Sequence, residues 1–599
     1  MPETNPPPSV VRSLDIVTQA VREKKLLESA GQNIRRWLTA DRYAPLISGV
    51  VEAVEQGQWE LLNDVFWTVL AFGTGGRRGR MHEFGTNAIN DATIGESAQG
   101  LADYIQAQPR AQGERACAIA YDTRHKSRHF AELCSSVMVA NGFRVYLLDD
   151  YRSTPELSFL VRFKQCDCGI MVTASHNPPR DNAVKVYWST GGQLLPPHDQ
   201  GVIECVENCQ KILIEDFGRA LDDGRVVVCT QETDEAFLEA VYQQRRAGPR
   251  DLKVVYSPLH GVGQSAVCPA LKADGFQDVE VFAPHASPDG NFPNVPNQVA
   301  NPENPEVYED IIARARQLGA DLVLATDPDC DRLGCAAPKT VDPSGDWGTF
   351  TGNQLGALLA DYVLSQTPDL TSEHYLVKTL VTTEMIRRIG DSYGVRTIGD
   401  LPVGFKWIAG VIDREGPERF VLGMEESFGY LAGTHARDKD AAVAAMLTAE
   451  MAAAAKAAGE SLHERLDRLF WQHGYHAERT LNVQMEGAAG MAQMQGLLQR
   501  LRTAPPESLG GMAVESRHAD GPQNVPADMI LLGFAEAGNF VVVRPSGTEP
   551  KVKLYLFTFV AAEQLADLDQ TKQELDQRLD ALEADLRAFV ACVERETNA

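Results

Sequence analysis

The sequence predicts an α/β protein of several domains, and three observations lead to this prediction. The chain has 599 residues, too many for a single hydrophobic core, so we expect three to five domains. From residue 115 onward, short apolar strands alternate with amphipathic helices, a pattern typical of mostly parallel sheets with crossover helices. The same alternation begins again near residue 252 and near residue 321.

The individual elements follow from local patterns along the chain. Up to about Trp67, apolar side chains recur at steps of three and four, as in Ile34, Trp37 and Leu38, which predicts helices. The strands after them each lead into a polar loop, the place where open α/β sheets bind ligands. The predicted strands are 116–120, 144–148, 252–256, 321–325, 419–422, 540–543 and 552–557, and the predicted helices are 130–139, 441–458 and 561–593.

Composition limits the functions that the chain can have. The formal net charge of -26 argues against a nucleic-acid surface, although local Arg and Lys clusters can still bind a small anion. The 11 cysteines lack the spacing of a zinc site or a disulfide framework, so we expect reduced thiols in a cytosolic protein. Residues 1–8 contain no apolar signal core, and Glu450 and Lys456 interrupt the alanine-rich segment 441–458. We therefore predict no membrane segment.

One serine follows the apolar run 169–172 directly. It lies in Thr173-Ala174-Ser175-His176-Asn177-Pro178, which we call the serine loop. A turn at the end of a strand can expose a hydroxyl and hold it still, which favours Ser175 as a reactive group. A plain turn is the alternative, because Ser, Asn and Pro are common turn residues.

Three aspartates alternate in Asp327-Pro328-Asp329-Cys330-Asp331-Arg332, which we call the aspartate loop. In an extended or turning loop, alternate side chains point the same way, so the three carboxylates can converge on one cation. Oxygen ligands suit Mg²⁺ or Ca²⁺ better than zinc. Without a metal, the carboxylates would raise one another's pKa. A solvated acidic turn is the alternative.

Three further loops have the composition of binding loops for a phosphorylated sugar. The phosphate loop 544–551 combines an arginine, two hydroxyls, a glycine and a lysine, which together can cradle a phosphate. The sugar loop 425–429 places paired carboxylates beside a serine, and such acceptors suit sugar hydroxyls. The glycine-rich loop 73–80 allows close approach of the backbone to an anion and supplies three arginines. Each could also be an ordinary turn.

Taken together, these loops resemble the α-D-phosphohexomutase superfamily, which includes the phosphoglucomutases and phosphomannomutases. The motifs TASHNP, DPDCDR, EESFG and RPSGTEP occur in the order of the family, and the resemblance extends from Phe72 to Phe557. The segments KVYW at 185–188 and PPHD at 196–199 are most similar to the branch with eukaryotic phosphoglucomutase-2 and the phosphopentomutases.

The resemblance also implies a fold. It implies three tandem mixed-sheet α/β domains and a smaller α+β C-terminal domain around a central cleft, with helical N- and C-terminal extensions. The implied division is an N-terminal extension at 1–67, a domain with the serine loop at 68–247, a domain with the aspartate loop at 248–343, a domain with the sugar loop at 344–472, and a C-terminal domain with the phosphate loop at 473–599.

The resemblance implies roles for individual residues. The implied catalytic residues are Ser175 as the phosphoserine, Lys185 as the proton-transfer group, Arg78 and His176. We expect the cationic surroundings to lower the pKa of Lys185. The implied metal ligands are Ser175, through its phosphate, and Asp327, Asp329 and Asp331. The implied substrate-binding residues are Thr74, Arg332, Lys406, Glu425, Ser427 and Lys439. The implied phosphate-binding residues are Arg544, Ser546, Gly547 and Thr548.

The chain departs from the family pattern at two places. Arg77 stands where the family has an apolar residue before its arginine, which leaves open whether Arg77 or Arg78 acts. Ala183 stands where many relatives have glycine, and we expect this change to affect loop flexibility more than activity.

The implied reaction is the interconversion of glucose 1-phosphate and glucose 6-phosphate in the cytoplasm. It would require Mg²⁺ and use glucose 1,6-bisphosphate as activator and intermediate. A phosphopentomutase or a phosphomannomutase is the alternative, because Glu425 and Ser427 do not rank the orientations of sugar hydroxyls. A non-catalytic sugar-phosphate-binding relative and a metal-dependent phosphatase are alternatives of other classes. Small sugar phosphates are the expected partners, without nucleic acid or membrane, and the sequence does not indicate an oligomeric state.

Overall fold

The computed structural model of the chain describes residues 7–73, 75–109, 113–485, 487–518, 529–545 and 551–598. Within these residues, the strands form four sheets that follow one another along the chain, with helices packed against them. The first three sheets are mixed, and the fourth is antiparallel. This is the α/β architecture with a β-rich C-terminal domain that the sequence predicts.

The N-terminal extension is a helical bundle with its own apolar core. Its helices are α1 (Pro8–Arg22), α2 (Glu28–Thr39), α3 (Ile47–Glu55) and α4 (Trp59–Phe66). Trp37 is fully buried in this core and stacks on Tyr43, with 4.1 Å between the ring centroids. Arg42 of the bundle forms a 3.1 Å ion pair with the buried Glu96 of the first α/β domain. The bundle is thereby attached to that domain.

The first α/β domain contains a six-stranded sheet in the order β1-β5-β4-β2-β3-β6. Its strands are β1 (Gly76–Arg80), β2 (Arg115–Tyr121), β3 (Phe143–Leu147), β4 (Cys168–Val172), β5 (Asp181–Trp188) and β6 (Val226–Val228). Its helices are α5 (Asp91–Ala107), α6 (Ser127–Ala140), α7 (Thr154–Phe163), α8 (His198–Glu207) and α9 (Phe217–Asp222). Strands β2 and β4 are parallel neighbours. The loops that follow them therefore meet at one edge of the sheet.

The second α/β domain contains a five-stranded sheet in the order β11-β10-β9-β7-β8. Its strands are β7 (Lys253–Ser257), β8 (Asp278–Val281), β9 (Leu322–Thr326), β10 (Leu333–Pro338) and β11 (Trp347–Thr349). The helices of this segment are α10 (Thr230–Tyr242), α11 (Val267–Ala273), α12 (Ala283–Ala286) and α13 (Glu309–Leu318). The aspartate loop joins β9 to the antiparallel β10.

The third α/β domain contains a four-stranded sheet in the order β13-β12-β14-β15. Its strands are β12 (Tyr375–Thr379), β13 (Arg396–Leu401), β14 (Phe420–Glu425) and β15 (Gly429–Ala432). Its helices are α14 (Gly352–Gln366), α15 (Met385–Ser392), α16 (Phe405–Glu415), α17 (Ala441–Ala457) and α18 (Leu462–His473). The sugar loop joins β14 to β15.

The C-terminal domain contains a six-stranded antiparallel sheet in the order β16-β21-β20-β19-β18-β17. Its strands are β16 (Tyr475–Gln484), β17 (Ser508–Leu509), β18 (Met512–His518), β19 (Ile530–Phe534), β20 (Phe540–Pro545) and β21 (Lys551–Val560). Its helices are α19 (Gly487–Thr503) and α20 (Leu568–Asn598).

The largest apolar cluster runs through the second, third and C-terminal domains. Helix α17 lies in this cluster with nearly all its side chains buried, which confirms the prediction of a packed helix at 441–458. In the described part of the chain, no single helix has the length and apolar composition of a membrane span. Helices α17 and α18 reach that length and composition only when they are taken together, and their axes meet at 89°.

The C-terminal helix begins later than the predicted residue 561. Residues Ala562–Gln564 form a single 3₁₀ turn, and α20 starts at Leu568. Asp567 precedes the helix, and its Oδ1 accepts a 3.0 Å hydrogen bond from the N–H of Gln570. A carboxylate in this position satisfies a backbone donor that the first turn leaves without a partner. The helix therefore starts after Asp567.

Replacing Trp37 with alanine tests the core of the N-terminal bundle. We expect Trp37→Ala to destabilise these helices by about 3–5 kcal/mol, because the change removes a buried ring and leaves a cavity. Hydrogen–deuterium exchange of peptides from α1 to α4 measures the local loss. Trp67→Ala is the matched control, because Trp67 is 49% exposed and its loss should change exchange little. Unchanged exchange in Trp37→Ala would contradict this account of the core.

Candidate active site

The serine loop follows β4, where the sequence predicts it. Ser175 has a backbone φ of +52°, in the left-handed region, and its side chain is almost fully buried. The N–H of Ser175 donates to Thr173 Oγ1 at 2.9 Å, which fixes the turn. Ser175 Oγ donates to Asp327 Oδ2 at 2.6 Å and lies 3.2 Å from His176 Nδ1. The predicted nucleophile and the predicted metal loop are thus in direct contact.

A buried ion pair, absent from the sequence prediction, braces the serine loop. Arg124 follows β2, and its guanidinium donates to the carbonyl of Ser175 at 2.5 Å and also to that of Asn177. Asp122 lies 3.4 Å from this guanidinium and accepts a 2.5 Å hydrogen bond from Thr173 Oγ1. The sequence pattern that could have predicted this pair is the polar segment directly after β2. Because β2 and β4 are parallel neighbours, the loops that follow them lie side by side.

The three aspartates of the aspartate loop converge, as their alternation predicts. One carboxylate oxygen from each of Asp327, Asp329 and Asp331 lies within 4.8 Å of the other two, and all three residues are buried. The N–H groups of Asp331 and Arg332 both donate to Asp327 Oδ1 at 3.1 Å. Cys330 has a φ of +55°, which turns the loop between two of the aspartates.

Cations from two other domains balance these carboxylates. Lys185 Nζ donates to Asp329 Oδ2 at 2.7 Å, and Thr154 Oγ1 donates to the same oxygen at 2.7 Å. Lys439 Nζ lies 3.1 Å from Asp331 Oδ2. Burial alone would raise the pKa of Asp329, but the charge of Lys185 and the hydrogen bonds with Asp327, Lys185 and Thr154 together outweigh burial and lower this pKa. Burial and the two neighbouring aspartates raise the pKa of Asp327 well above its ordinary value.

The expectation of a lowered pKa for Lys185 is wrong for this structure. Burial does lower the pKa of Lys185, but the carboxylates of Asp329 and Asp331 outweigh burial and raise it. The sequence-based argument counted the cations around the phosphoryl group. It did not include a direct ion pair with the aspartate loop. Lys185 is therefore a charged ammonium here.

The aspartate cluster has the free donor atoms that a cation needs. Asp329 Oδ1 and Asp331 Oδ1 are buried and have no hydrogen-bond partner among the described residues. A buried carboxylate oxygen without a partner is costly, and coordination of a cation removes that cost. The donors are all oxygens, which fits a hard divalent cation. The cluster could therefore hold such an ion.

The structure distinguishes the two arginines that the sequence left open. Arg77 is buried, and its guanidinium donates to Glu96 at 3.0 Å and to the carbonyl of Thr93 at 2.9 Å. Arg77 therefore holds α5, whose Glu96 also pairs with Arg42 of the N-terminal bundle. Arg78 is the next residue on β1 and pairs in register with Ala183 of β5. Thr74 lies outside the described residues.

Arg78 acts on the serine loop through its charge. Burial first, and then the charges of Arg332 and Arg78, lower the pKa of His176 well below its ordinary value. His176 is therefore neutral at pH 7. With Nδ1 beside Ser175 Oγ, it can exchange a hydrogen bond with the hydroxyl without adding charge.

The sugar loop lies against the aspartate loop. The N–H of Leu333 donates to the carbonyl of Phe428 at 3.0 Å, which joins the two loops. Glu425 is buried and lies 3.9 Å from Lys439, the same lysine that pairs with Asp331. Ser427 is half-buried. Lys439, predicted near the substrate, is thus within the cluster of the aspartate loop.

Lys406 and Arg332 occupy different positions around the cleft. Lys406 Nζ lies 3.3 Å from the carbonyl oxygen of Leu194 and 3.4 Å from Asp199 Oδ2, so it joins the third domain to the first. None of its described partners belongs to the aspartate loop. The guanidinium of Arg332 pairs with Glu303.

The phosphate loop is described only at its two ends. Ser546, Gly547 and Thr548 lie outside the described residues. Arg544, near the end of β20, pairs in register with Lys553 of β21. Burial lowers the pKa of Lys553, and the carboxylates of Glu303 and Glu426 act in the opposite direction. The sequence prediction did not include Lys553. The alternation of side chains between the two faces of β21 is the pattern that could have predicted it.

Comparison with known families covers the three α/β domains. Residues 69–212 match α/β/α domain I of phosphoglucomutase/phosphomannomutase, residues 235–340 match domain II, and residues 351–472 match domain III. Together the three matches cover more than half of the chain.

Full-length relatives give the same result. The phosphoglucomutase of Staphylococcus haemolyticus is 33% identical over 509 residues, which cover 82% of this chain and 90% of that protein. A phosphoglucomutase of Staphylococcus aureus is 31% identical over 509 residues, with 82% and 90% covered.

Solved structures share the fold. Parafusin, a phosphoglucomutase from Paramecium in its open form, superposes with a TM-score of 0.63 and 16% identity, covering 88% of this chain and 96% of that one. A phosphoglucomutase/phosphomannomutase family protein from Burkholderia thailandensis has a TM-score of 0.61 and 19% identity, covering 86% and 98%.

Removing one aspartate tests the cation site. We expect the protein to bind one divalent cation at the cluster and Asp329→Asn to weaken binding at least about tenfold, because the change removes a carboxylate donor. Titration with Mn²⁺, followed by electron paramagnetic resonance, measures the affinity. Asp342→Asn removes an exposed carboxylate and is the control. Equal Mn²⁺ affinity in Asp329→Asn and in the unmodified protein would exclude the site.

Proposed function

We propose that this chain, which belongs to the phosphoglucomutase/phosphomannomutase family and is therefore a phosphosugar mutase, interconverts glucose 1-phosphate and glucose 6-phosphate. The observation that carries the proposal is the contact between Ser175 Oγ and Asp327 at 2.6 Å, inside a cluster of three buried aspartates. A hydroxyl beside converging carboxylates suits phosphoryl transfer, in which catalysis depends on positioning and charge neutralisation.

In the proposed cycle, Ser175 carries the phosphoryl group. The bond between phosphorus and Ser175 Oγ breaks as phosphorus bonds to the free hydroxyl oxygen of the sugar phosphate, which gives a sugar bisphosphate. The bisphosphate reorients in the cleft and returns its other phosphoryl group to Ser175. Arg124 supports the cycle by fixing the backbone of the serine loop through the carbonyl of Ser175.

Lys185 is the proposed proton-transfer group of this cycle. As the neutral amine it takes the proton of the attacking sugar hydroxyl, and the ammonium so formed gives that proton to the leaving oxygen in the return step. Its position supports the assignment, because its Nζ donates a hydrogen bond to Asp329, in the same loop as the Asp327 that contacts Ser175. Because its pKa is raised, the ammonium is the stable form, and this form suits the acid half of the cycle.

The remaining predicted residues are proposed to hold the substrate. Glu425 and Ser427 would accept and donate hydrogen bonds to sugar hydroxyls. Arg78, Arg332 and Lys439 would neutralise the transferring phosphoryl group. The more distant phosphate is assigned to the phosphate loop, whose proposed binding residues are Arg544, Ser546, Gly547 and Thr548. Lys406 and Thr74 stay candidate substrate-binding residues.

We propose Mg²⁺ as the cation and glucose 1,6-bisphosphate as the activator. Asp327, Asp329 and Asp331, with the phosphate on Ser175, would hold the Mg²⁺, which when bound supplies charge neutralisation at the phosphoryl oxygens. We place the protein in the cytoplasm, which agrees with the free thiols of all 11 cysteines. The domain boundaries at 67, 247, 343 and 472 stay predictions.

A mutase assay tests the proposed substrate. We expect turnover of glucose 1-phosphate with Mg²⁺ and catalytic glucose 1,6-bisphosphate to exceed turnover of mannose and ribose 1-phosphates. Preference for ribose or mannose would replace the substrate with that of a phosphopentomutase or phosphomannomutase. Ser175→Ala is the control and should be inactive. No activity, together with an unphosphorylated Ser175 by intact-mass spectrometry, would favour a non-catalytic binding protein.

Replacing Lys185 tests the proton-transfer assignment. We expect Lys185→Met to lower kcat by about 10²–10⁴-fold, the usual contribution of a positioned acid or base. Mass spectrometry should still detect phosphorylated Ser175, because the serine loop remains intact. Lys456→Met, at an exposed lysine of α17, is the matched control. Unchanged turnover in Lys185→Met would contradict the assignment of Lys185 as the proton-transfer group.

A further inference from the structure

The N-terminal bundle and strand β1 share one buried carboxylate, that of Glu96 on α5. Arg42, which follows α2 in the bundle, lies 3.1 Å from Glu96 Oε1. Tyr43 Oη donates to the same oxygen at 2.7 Å. Arg77 of β1 donates to the other oxygen, Oε2, at 3.0 Å. We call these four residues the Glu96 cluster.

The Glu96 cluster holds its three elements firmly, because its charges are buried. Arg77 and Glu96 are buried, and the side chain of Arg42 is 4% exposed. Burial first, and then Glu96, raise the pKa of Tyr43 to about 12, so its hydroxyl keeps its proton and remains a donor. A buried ion that loses its partner is strongly unfavourable. The cluster therefore fixes the positions of the bundle, α5 and β1 relative to one another.

Strand β1 depends on such side-chain contacts because it lies at the edge of its sheet. In the order β1-β5-β4-β2-β3-β6, β5 is its one neighbour among the described strands. An edge strand has ladder hydrogen bonds on one side only. Arg77 adds a second attachment, since its Nη1 donates both to Glu96 and, at 2.9 Å, to the carbonyl of Thr93. Arg77 thereby fastens β1 to α5.

The attachment of Arg77 also sets the direction of Arg78. Successive side chains of a strand point to opposite faces of the sheet. Arg77 pairs in register with Val184, which lies in the apolar core that includes α5. Arg78 pairs with Ala183 and therefore shares the opposite face with Lys185. This is the face from which Lys185 reaches the aspartate loop.

We propose that Arg77 and Glu96 are positioning residues for phosphoryl transfer, and that Arg42 and Tyr43 make the N-terminal bundle part of the same unit. Arg77 keeps Arg78 on the face of Lys185, where Arg78 is proposed to neutralise the transferring phosphoryl group. A displacement of such a group by about 1 Å can slow a reaction about 10²-fold. This inference rests on the proposed function, because it concerns the turnover that Arg78 supports.

Replacing Arg77 with methionine tests the positioning role. Glu96 keeps Arg42 as its partner in this variant, so no buried carboxylate is left alone. We expect Arg77→Met to lower kcat for glucose 1-phosphate about 10- to 100-fold, because Arg78 is no longer held in place. KM should change less than about threefold, because the lost stabilisation belongs to the transition state.

Two further variants serve as controls. Arg77→Lys keeps the charge and one donor nitrogen, and it should recover most of the lost turnover. Arg80→Met removes another arginine of β1 that pairs with the bundle, through Asp64. Because this ion pair is exposed, its loss should leave kcat unchanged.

A double-mutant cycle separates positioning from general structural support. If Arg77 acts through Arg78, Arg77→Met should lower kcat much less in an Arg78→Met background than in the unmodified protein. A purely structural loss would be equal in both backgrounds. Hydrogen–deuterium exchange of peptides that cover β1 needs no turnover. It should rise in Arg77→Met and stay unchanged in Arg80→Met.

Three results would overturn the proposal: full turnover in Arg77→Met, an equal loss in Arg80→Met, or additive losses from Arg77→Met and Arg78→Met. If the unmodified protein turns over no sugar phosphate, the proposed function alone fails. The exchange of β1 then decides whether Arg77 holds this strand, and an unchanged exchange in Arg77→Met would overturn the inference as well.

Discussion

The burial of three neighbouring carboxylates on one loop is the constraint on which the domain arrangement depends. Three buried negative charges are strongly unfavourable unless each finds a partner, because the loss of hydration costs several kcal/mol per ion. Lys185 comes from the first domain and Lys439 from the third, and they lie on Asp329 and Asp331 of the second. The charge on the aspartate loop therefore links three domains around one point.

The first domain brings separate loops to this point because its strands are parallel. Ser175 follows β4 and contacts Asp327, while Thr154, at the start of α7, bonds to Asp329. Arg124, after β2, donates to the carbonyl of Ser175 and so fixes the backbone of the serine loop. Parallel strands place such loops at one edge of the sheet. Local loop chemistry and sheet topology thus act together, and neither alone would position the hydroxyl on the carboxylate.

The sequence predicted the features that depend on short spacing and missed those that depend on distant partners. Alternation in the aspartate loop predicted convergence because three residues share one loop. The direction of the pKa shift of Lys185 could not be predicted, because it arises from an ion pair with Asp329, 144 residues away. The choice between Arg77 and Arg78 likewise depends on the position of Glu96 on α5. Local sequence patterns predicted the strands and helices, whereas ion pairs between distant residues determine what the individual side chains do in the site.

The acidic surface and the basic cleft are compatible because charge acts locally in a buried site. Each domain contributes at least one cation to this region, among them Arg78, Arg332, Lys439 and Lys553. Within the protein, carboxylates pair with these cations, as Glu303 does with Arg332. In the proposed cycle, a doubly phosphorylated sugar would replace such partners at both of its ends, because low-dielectric walls concentrate the field of the cations. The reorienting bisphosphate of that cycle would need cations from more than one side, and the four domains would supply them.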